Sequence, residues 1–360
     1  MDLELLTLGL SRWVQVNKRL INISLLVEET NTARSTIQKV LNEETVFGPA
    51  HYEKIFPFLA KFYKVTQDDL LDLVKPKAKI IAIWNQKGGV GKSTCSNHIC
   101  GQLVAKGKKV LLIDSDYQGN TTRNFSISKE DSPHDLFDVL TKQIDIRDAI
   151  VPAKYVSGLD ILPSYGKMVE FETTPILTVN EKIRSYEEPI QSVSRDYDFI
   201  IFDMRPTMRD CHSDPIFLVA EYMFMVMNPS SMSWDGYIMA QEYLRRCYRD
   251  NMNLKFGGAF FNRIRSNVQY EIDSMLAVAS AIEKDGTYVF ENGIKESVGA
   301  KKSFELYFRD TSSFCNAFEN GEIEGINKGQ VKAIFDMNGD FSELTEEILA
   351  VINKYENENQ

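Results

Sequence analysis

The chain has 360 residues, of which 43% are hydrophobic and 26% charged, values typical of a soluble protein that buries at least one sizeable core. Its net charge of −10 argues against a protein that coats nucleic acid over its whole surface, so any DNA contact must be a local basic patch. The five cysteines lack CxxC or metal-ligand spacing, which predicts neither disulfides nor zinc. The sequence also has no signal peptide and no apolar run of about 18 residues, so we expect a cytoplasmic protein without a membrane partner.

Residues 1–76 are expected to form an all-helical domain. Apolar residues recur there at helical spacing, as at Ile37, Val40 and Leu41. A proline among lysines at 75–79, followed at once by a β-branched run, then predicts a domain boundary, with a second domain over residues 77–360.

Within the first domain, residues 22–42 resemble a helix-turn-helix of the phage-repressor type. A first helix is expected from Ser24 to about Thr30, and a second helix is expected to be capped by Thr32. Such a second helix fits the major groove, where arginine suits guanine and glutamine suits adenine. The candidate DNA-reading residues are Arg34, Ser35, Gln38 and Lys39. The alternative is a dimerisation or docking domain with a solvated polar face, and the nearly equal numbers of acids and bases leave both open.

Beyond the boundary, short apolar runs alternate with longer helical patterns. The predicted strands are residues 80–84, 110–113, 199–202, 222–227 and 256–261. Strands separated by helices predict an α/β fold, with a mainly parallel sheet flanked by helices on both faces.

A glycine-rich segment follows the first predicted strand and opens a helix, which is the context of a phosphate-binding loop. Its residues are Lys87, Gly88, Gly89, Val90, Gly91, Lys92, Ser93 and Thr94. Glycines let successive backbone N–H groups turn toward phosphate oxygens. Lys92 is expected to reach the β and γ phosphates, and Ser93 to give its hydroxyl to Mg²⁺. The segment therefore predicts a P-loop that binds ATP with Mg²⁺.

A second lysine distinguishes this loop, because Lys87 lies before the glycines, where an ordinary P-loop requires no cation. With it, the sequence resembles the ParA/MinD family of deviant Walker A ATPases over roughly residues 79–330. The resemblance implies an ATP-dependent homodimer in which Lys87 crosses to the partner's nucleotide. It also gives Lys87 and Lys92 catalytic roles.

Three aspartates at predicted strand ends extend the resemblance. By the family match, Asp116 positions or activates the attacking water, while Asp114 and Asp203 support the Mg²⁺ shell. Tyr117 stands where the family usually has proline, which changes the turn but keeps both neighbouring carboxylates. Strand ends form the sheet edge at which ligands bind. Taken singly, each aspartate could instead be a helix cap or a solvated loop acid.

Further residues are candidates for contacts with the base and with DNA. Asn262 follows a predicted strand at the place where the family reads adenine, and Pro229 is expected to line the same pocket; a turn role is the alternative for Asn262. The candidates for nonspecific DNA binding are Arg245, Arg246, Arg249, Lys295, Lys301 and Lys302, together with Arg263 and Arg265, which follow a predicted strand. Ordinary solvated charge is the alternative for all of them.

The resemblance implies a ParA-like DNA-partitioning ATPase, associated with the nucleoid, whose hydrolysis is triggered by a ParB-like adaptor. A MinD-type ATPase acting on a membrane surface is the first alternative. It requires a basic amphipathic C-terminal helix, whereas acidic and polar residues follow positions 344–352. The second alternative is a nucleotide-driven electron carrier with a cluster on two cysteines per subunit, but Cys211 has no convincing second cysteine.

Overall fold

The computed structural model describes residues 3–74, 76–141, 143–166, 179–206 and 215–358. The chain divides into two compact units, Met1–Lys77 and Ala78–Gln360.

The first unit is helical, which confirms the helical prediction for this region. Its helices are α1 (Leu3–Val16), α2 (Ile23–Thr30), α3 (Arg34–Leu41), α4 (Pro49–Tyr63) and α5 (Gln67–Asp72). Apolar side chains from all five helices share one core, which includes the fully buried Leu10, Leu26, Ile37, Leu59 and Leu70. Helical spacing of apolar residues in the sequence becomes, in the fold, a continuous buried face on each helix.

A tight turn joins α2 to α3. Asn31 ends α2 in the left-handed conformation, and the backbone enters α3 through Ala33. The prediction that Thr32 caps α3 is wrong, because Ala33 occupies the cap position and the buried Thr32 hydroxyl accepts a hydrogen bond from Thr30 Oγ1 at 2.9 Å. The side chains of Arg34, Ser35, Gln38 and Lys39 are exposed.

The second unit is built on a sheet of eight strands in the order β3-β4-β2-β5-β1-β6-β7-β8. The strands are β1 (Lys79–Trp84), β2 (Val110–Asp114), β3 (Val151–Pro152), β4 (Leu159–Leu162), β5 (Phe199–Asp203), β6 (Tyr222–Met227), β7 (Lys255–Ile264) and β8 (Ile294–Lys295). Neighbours pair in parallel except β3 and β4, which are antiparallel. The predicted α/β class is confirmed, while β3, β4 and β8 were not predicted.

Helices connect the strands of the sheet. They are α6 (Lys92–Ala105), α7 (Asn120–Asn124), α8 (Leu136–Leu140), α9 (Ile146–Ala149), α10 (Val179–Val193), α11 (Ile216–Val219), α12 (Met232–Asp250), α13 (Gln269–Lys284), α14 (Gly299–Tyr307), α15 (Thr311–Glu319) and α16 (Lys328–Asn357).

The sheet is buried on both faces, as β1 shows most clearly. Ala82 and Trp84 belong to one hydrophobic core, and the alternating Ile81 and Ile83 belong to the other. Successive side chains of a strand point to opposite faces, so a strand covered on both sides must be apolar throughout. Helices α10, α12 and α13 contribute to the first core, whereas α6, α14 and α16 contribute to the second.

The second core contains a buried histidine on α6. The His98 ring stacks on Phe341 with 4.5 Å between ring centroids, and His98 Nδ1 accepts a hydrogen bond from Thr311 N at 3.1 Å. Burial lowers the pKa of His98 to about 3. An unfolded histidine has a pKa of about 6.5, so the stability contributed by neutral His98 is fully present above that pH and is lost as pH falls toward the folded value.

We therefore expect His98→Gln to make the free energy of unfolding less dependent on pH on the acid side of neutrality. From about pH 8 to about pH 5, the free energy of unfolding should fall by about 2 kcal/mol more in the wild type than in the variant. Urea denaturation at a series of pH values measures this difference. Parallel profiles for the two proteins would show that His98 is not held neutral by the fold.

Candidate nucleotide-binding site

The glycine-rich segment 87–94 forms the loop that follows β1 and, from Lys92, the first turn of α6. Gly89 and Gly91 have φ angles of 74° and 98°, in the left-handed region that L side chains rarely adopt. A Cβ on Gly91 would also collide with Asn262 Nδ2. Both the turn and the close approach of β7 therefore require glycine at position 91.

Side chains from neighbouring segments hold this loop at both ends. Asn85 Oδ1 accepts a hydrogen bond from Lys87 N at 2.8 Å, while Asn85 Nδ2 donates to Val226 O on β6 at 2.6 Å. From β7, Asn262 Nδ2 donates to Val90 O at 2.7 Å. The loop conformation is thus fixed by the strands on one side of β1, which prepares its amides for an anion before one binds.

The two lysines of the loop have different surroundings. Lys92 is buried, and its Nζ donates to Lys87 O at 3.1 Å. Burial lowers the pKa of Lys92, and the carboxylates of Asp203 and Asp116 act in the opposite direction. The side chain of Lys87 is exposed. One lysine therefore belongs to the interior of this site, and the other is accessible from outside it.

Two buried carboxylates lie side by side at the carboxyl ends of β2 and β5, where Asp114 and Asp203 are register partners. Asp114 accepts hydrogen bonds from Thr122 N at 2.8 Å and from Thr122 Oγ1 at 2.7 Å. Asp203 Oδ2 accepts from Thr121 Oγ1 at 2.7 Å. Burial, and after it repulsion from neighbouring carboxylates, raises the pKa of both acids.

A divalent cation fits these acids. Asp203 Oδ1 is buried and has no hydrogen-bond partner among the described residues, and the repulsion between the carboxylates is the kind that a cation relieves. Within the described ranges, no three acidic, histidine or cysteine side chains form a complete metal cage. This agrees with Mg²⁺, which usually takes one or two carboxylates and completes its shell with water and phosphate oxygens.

Beside the loop lies a cavity of about 1040 Å³, large enough for a nucleotide. Its lining includes the predicted residues Gly89, Gly91, Lys92, Ser93, Thr94, Asp116, Asn262, Lys295 and Lys301. Asp116 is buried, and its Oδ1 accepts a hydrogen bond from Gln118 N at 2.9 Å. The structure therefore brings the loop, one of the acids and the end of β7 to a single cavity.

Other predicted site residues do not line the cavity. These are Lys87, Gly88, Val90, Asp114, Asp203 and Pro229. Val90 is buried in the second core, and Pro229 is buried beyond the end of β6. Cys211 lies outside the described residues.

The candidate DNA contacts separate into two groups. Lys295 and Lys301 line the cavity and form ion pairs, Lys295 Nζ with Asp340 Oδ1 at 2.8 Å and Lys301 Nζ with Glu305 Oε1 at 3.2 Å. Lys302 is half-buried. The other group, Arg245, Arg246 and Arg249, is exposed on α12.

Several residues of the site escaped the sequence analysis. Asn85 anchors the loop, and Thr121 and Thr122 hold the buried acids. A usable signal existed for all three, because each is a polar residue just after a predicted strand or just after the acidic motif. Such positions are where side chains support a ligand site at a sheet edge.

Known proteins match this chain in sequence and in fold. The AAA domain family matches residues 78–256. The sporulation initiation inhibitor protein Soj of Bacillus subtilis is 38% identical over 130 residues, which cover 36% of this chain and 51% of Soj. The virulence plasmid ParA family protein pGP5-D of Chlamydia psittaci is 30% identical over 185 residues, which cover 51% of this chain and 69% of that protein. The chain thus spans about half the length of Soj.

Among solved structures, the ATP complex of Cyanothece McdA superposes with a TM-score of 0.58 at 19% identity, covering 76% of this chain and 97% of McdA. At that identity the likeness shows the fold alone. The sequence match to pGP5-D reaches further, because it extends over more than two thirds of a named family member. A relative of 30% identity that is matched over 69% of its length shows the family, and the chain therefore belongs to the ParA family.

Proposed function

We propose that this chain is a DNA-partitioning ATPase that binds MgATP and closes into an ATP-dependent homodimer. The observation that carries the proposal is the division between the two lysines of one loop. Lys92 is buried beside Asp203 and Asp116, as a residue that holds the phosphates of its own nucleotide should be. Lys87 is exposed and does not line its own cavity, as a residue that serves the partner's nucleotide should be.

The same site supports hydrolysis of ATP to ADP and phosphate. The loop amides and Lys92 hold the phosphates, and Mg²⁺, when bound near Ser93 and Asp203, adds positive charge on phosphate oxygens. Asp116 is oriented by Gln118 N and lines the cavity, so it can position a water and accept its proton. Release of inorganic phosphate from MgATP by the purified protein tests this step, and no release with DNA and adaptor present would contradict it.

Contact with the adenine base is proposed for Asn262. Its amide nitrogen is committed to Val90 O, which fixes the orientation of the side chain at the cavity wall. Holding the loop and meeting the base are compatible roles for one amide. Pro229 has less support, because it is not among the residues that line the cavity.

Nonspecific DNA binding is proposed for α12, in keeping with an ATPase that works in the cytoplasm on the nucleoid through a ParB-like adaptor. Arg245, Arg246 and Arg249 are exposed and form no ion pair with a described residue, so their charges are available to phosphates. Lys295 and Lys301 are less suited, because both already pair with carboxylates.

Operator or centromere binding is proposed for the first unit, through the exposed face of α3. If Arg34 and Gln38 read base edges, changing either to alanine should cost about 1 to 3 kcal/mol at the cognate site and leave DNA-free ATP turnover unchanged. Changing Arg245 and Arg246 together is the matched control. It should weaken binding to every sequence alike and flatten the salt dependence, because phosphate contacts carry no base information.

DNA footprints of the full chain and of residues 77–360 show which unit binds the specific site. If the shorter form protects the same specific site as the full chain, the first unit does not read DNA. A dimerisation or docking role would then take its place.

A MinD-type role at a membrane surface is disfavoured by α16. Such a role needs an apolar helix face that lipid can reach, whereas Leu344, Ile348 and Ile352 are buried in the second core. Within the described ranges, no helix is long and apolar enough to cross a bilayer.

A further inference from the structure

The order of the strands divides the residues that line the cavity between two sides of β1. β1, which leads into the loop, lies at the centre, with β5 and β2 on one side and β6, β7 and β8 on the other. Asp116 follows β2, whereas Asn262 and Arg263 lie near the end of β7 and Lys295 lies on β8. Under the proposed function, the side with Asp116 receives the reacting phosphate. The opposite side must then receive the rest of the nucleotide.

The backbone is unusual at Arg263. Its φ angle is 62°, in the left-handed region that non-glycine residues seldom adopt. The pairing of β7 with β8 also shifts register between Asn262 and Ile264, directly around this residue. A bulge of this kind redirects a side chain at a strand end, and strained positions of this kind cluster at ligand sites.

Arg263 also differs in its ion pairing from the lysines that line the same side of the cavity. Lys295 pairs with Asp340 and Lys301 pairs with Glu305. In the part of the chain that the structure describes, no carboxylate forms an ion pair with Arg263, although its side chain lines the cavity. A strained backbone thus places a guanidinium without an ion pair to a described carboxylate on the β7 side of the cavity, whereas Asp116 lies on the β2 side.

We propose that Arg263 is a further nucleotide-binding residue, whose guanidinium contacts the base, ribose or α-phosphate of the nucleotide and not its terminal phosphates. The inference rests on the proposed function, because it requires a nucleotide on the loop. A guanidinium suits this end, since it can stack on a purine ring and donate several hydrogen bonds from one plane.

Arg263→Gly tests the proposal, because glycine keeps the left-handed backbone and removes only the side chain. Calorimetric titration of the full chain with ADP and with a slowly hydrolysed ATP analogue, both with Mg²⁺, measures the affinities. We expect both nucleotides to bind about tenfold more weakly, the loss of one charge-assisted contact. The thermal midpoint of the nucleotide-free protein should be unchanged or higher, because glycine relieves the strain. A purely structural arginine would instead lower it.

Two controls separate this inference from the proposed function. Lys64→Gly removes another exposed side chain with a φ of 60°, far from the loop in sequence and in the other unit, and should leave both affinities unchanged. Lys92→Ala reports on the nucleotide site itself. The assignment of Arg263 is overturned if Lys92→Ala abolishes binding while Arg263→Gly changes neither affinity or weakens only the ATP analogue. The proposed nucleotide site would be retained in that case. If Lys92→Ala binds like the wild type, the proposed function fails first.

Discussion

Lys92→Ala is expected to lose nucleotide binding, with affinities for ADP and for an ATP analogue at least about 100-fold weaker than in the wild type. The reason is that Lys92 is the buried cation of the cavity, held by Lys87 O and facing the charges of Asp203 and Asp116. Without it, one positive charge fewer would lie between the phosphates and these carboxylates. Equilibrium titration of the purified variant measures the loss.

A matched control is available at the other end of α6, between that helix and β2. Lys108 is exposed, and its replacement by alanine removes the same charge without touching the cavity. Circular dichroism of both variants confirms that each is folded before binding is compared. Wild-type affinity in Lys92→Ala would show that the loop does not hold phosphates as described.

Asp116→Ala is expected to stop turnover while keeping MgATP bound, so that a long-lived ATP dimer accumulates. Asp116 lines the cavity, and under the proposed function it acts on the attacking water and not on the metal. Loss of a positioned general base typically lowers the rate by about 100-fold or more. Single-turnover phosphate release, together with sedimentation of the nucleotide-bound protein, measures both effects.

Asp148→Ala provides the control, because this aspartate is exposed on α9 and does not line the cavity. It should hydrolyse ATP like the wild type. Full hydrolysis by Asp116→Ala in the presence of the adaptor would exclude the residue from the reaction.

Much of the second unit was predictable because its signals are local. A strand of a sheet covered on both faces must be an unbroken apolar run, which is easy to find in a sequence. The predicted strand 80–84 accordingly matches β1 and begins only one residue after the observed start. The loop was predictable because phosphate binding requires glycines, a lysine and a helix start in immediate succession. The aspartates followed because parallel strands end at one edge of the sheet.

What could not be predicted depends on contacts between distant segments. The bond from Asn262 to Val90 joins residues 172 positions apart in the chain. The ion pair of Lys295 with Asp340 likewise joins residues 45 positions apart, so charge patterning could not reveal it. The left-handed backbone of Arg263 carries no sequence signal, because such conformations are usually announced by glycine or asparagine.

The first unit shows a smaller failure of the same kind. Threonine is a common N-cap residue and alanine is not, so the sequence favours Thr32 over Ala33 as the cap of α3. In the fold, the hydroxyl of Thr30 donates to Thr32, which is buried in the turn, and alanine occupies the cap without a side-chain bond. Local propensity was overridden by burial of the turn.

If ATP closes a dimer through the exposed Lys87, sedimentation of the full chain should detect the change of mass between nucleotides. The wild type should be a monomer with MgADP and a dimer with Mg²⁺ and a slowly hydrolysed ATP analogue in the presence of DNA. Lys87→Ala should bind nucleotide with wild-type affinity yet remain a monomer in both conditions. The same mass for the wild type in both nucleotides, or equal losses of affinity in Lys87→Ala and Lys92→Ala, would contradict the account.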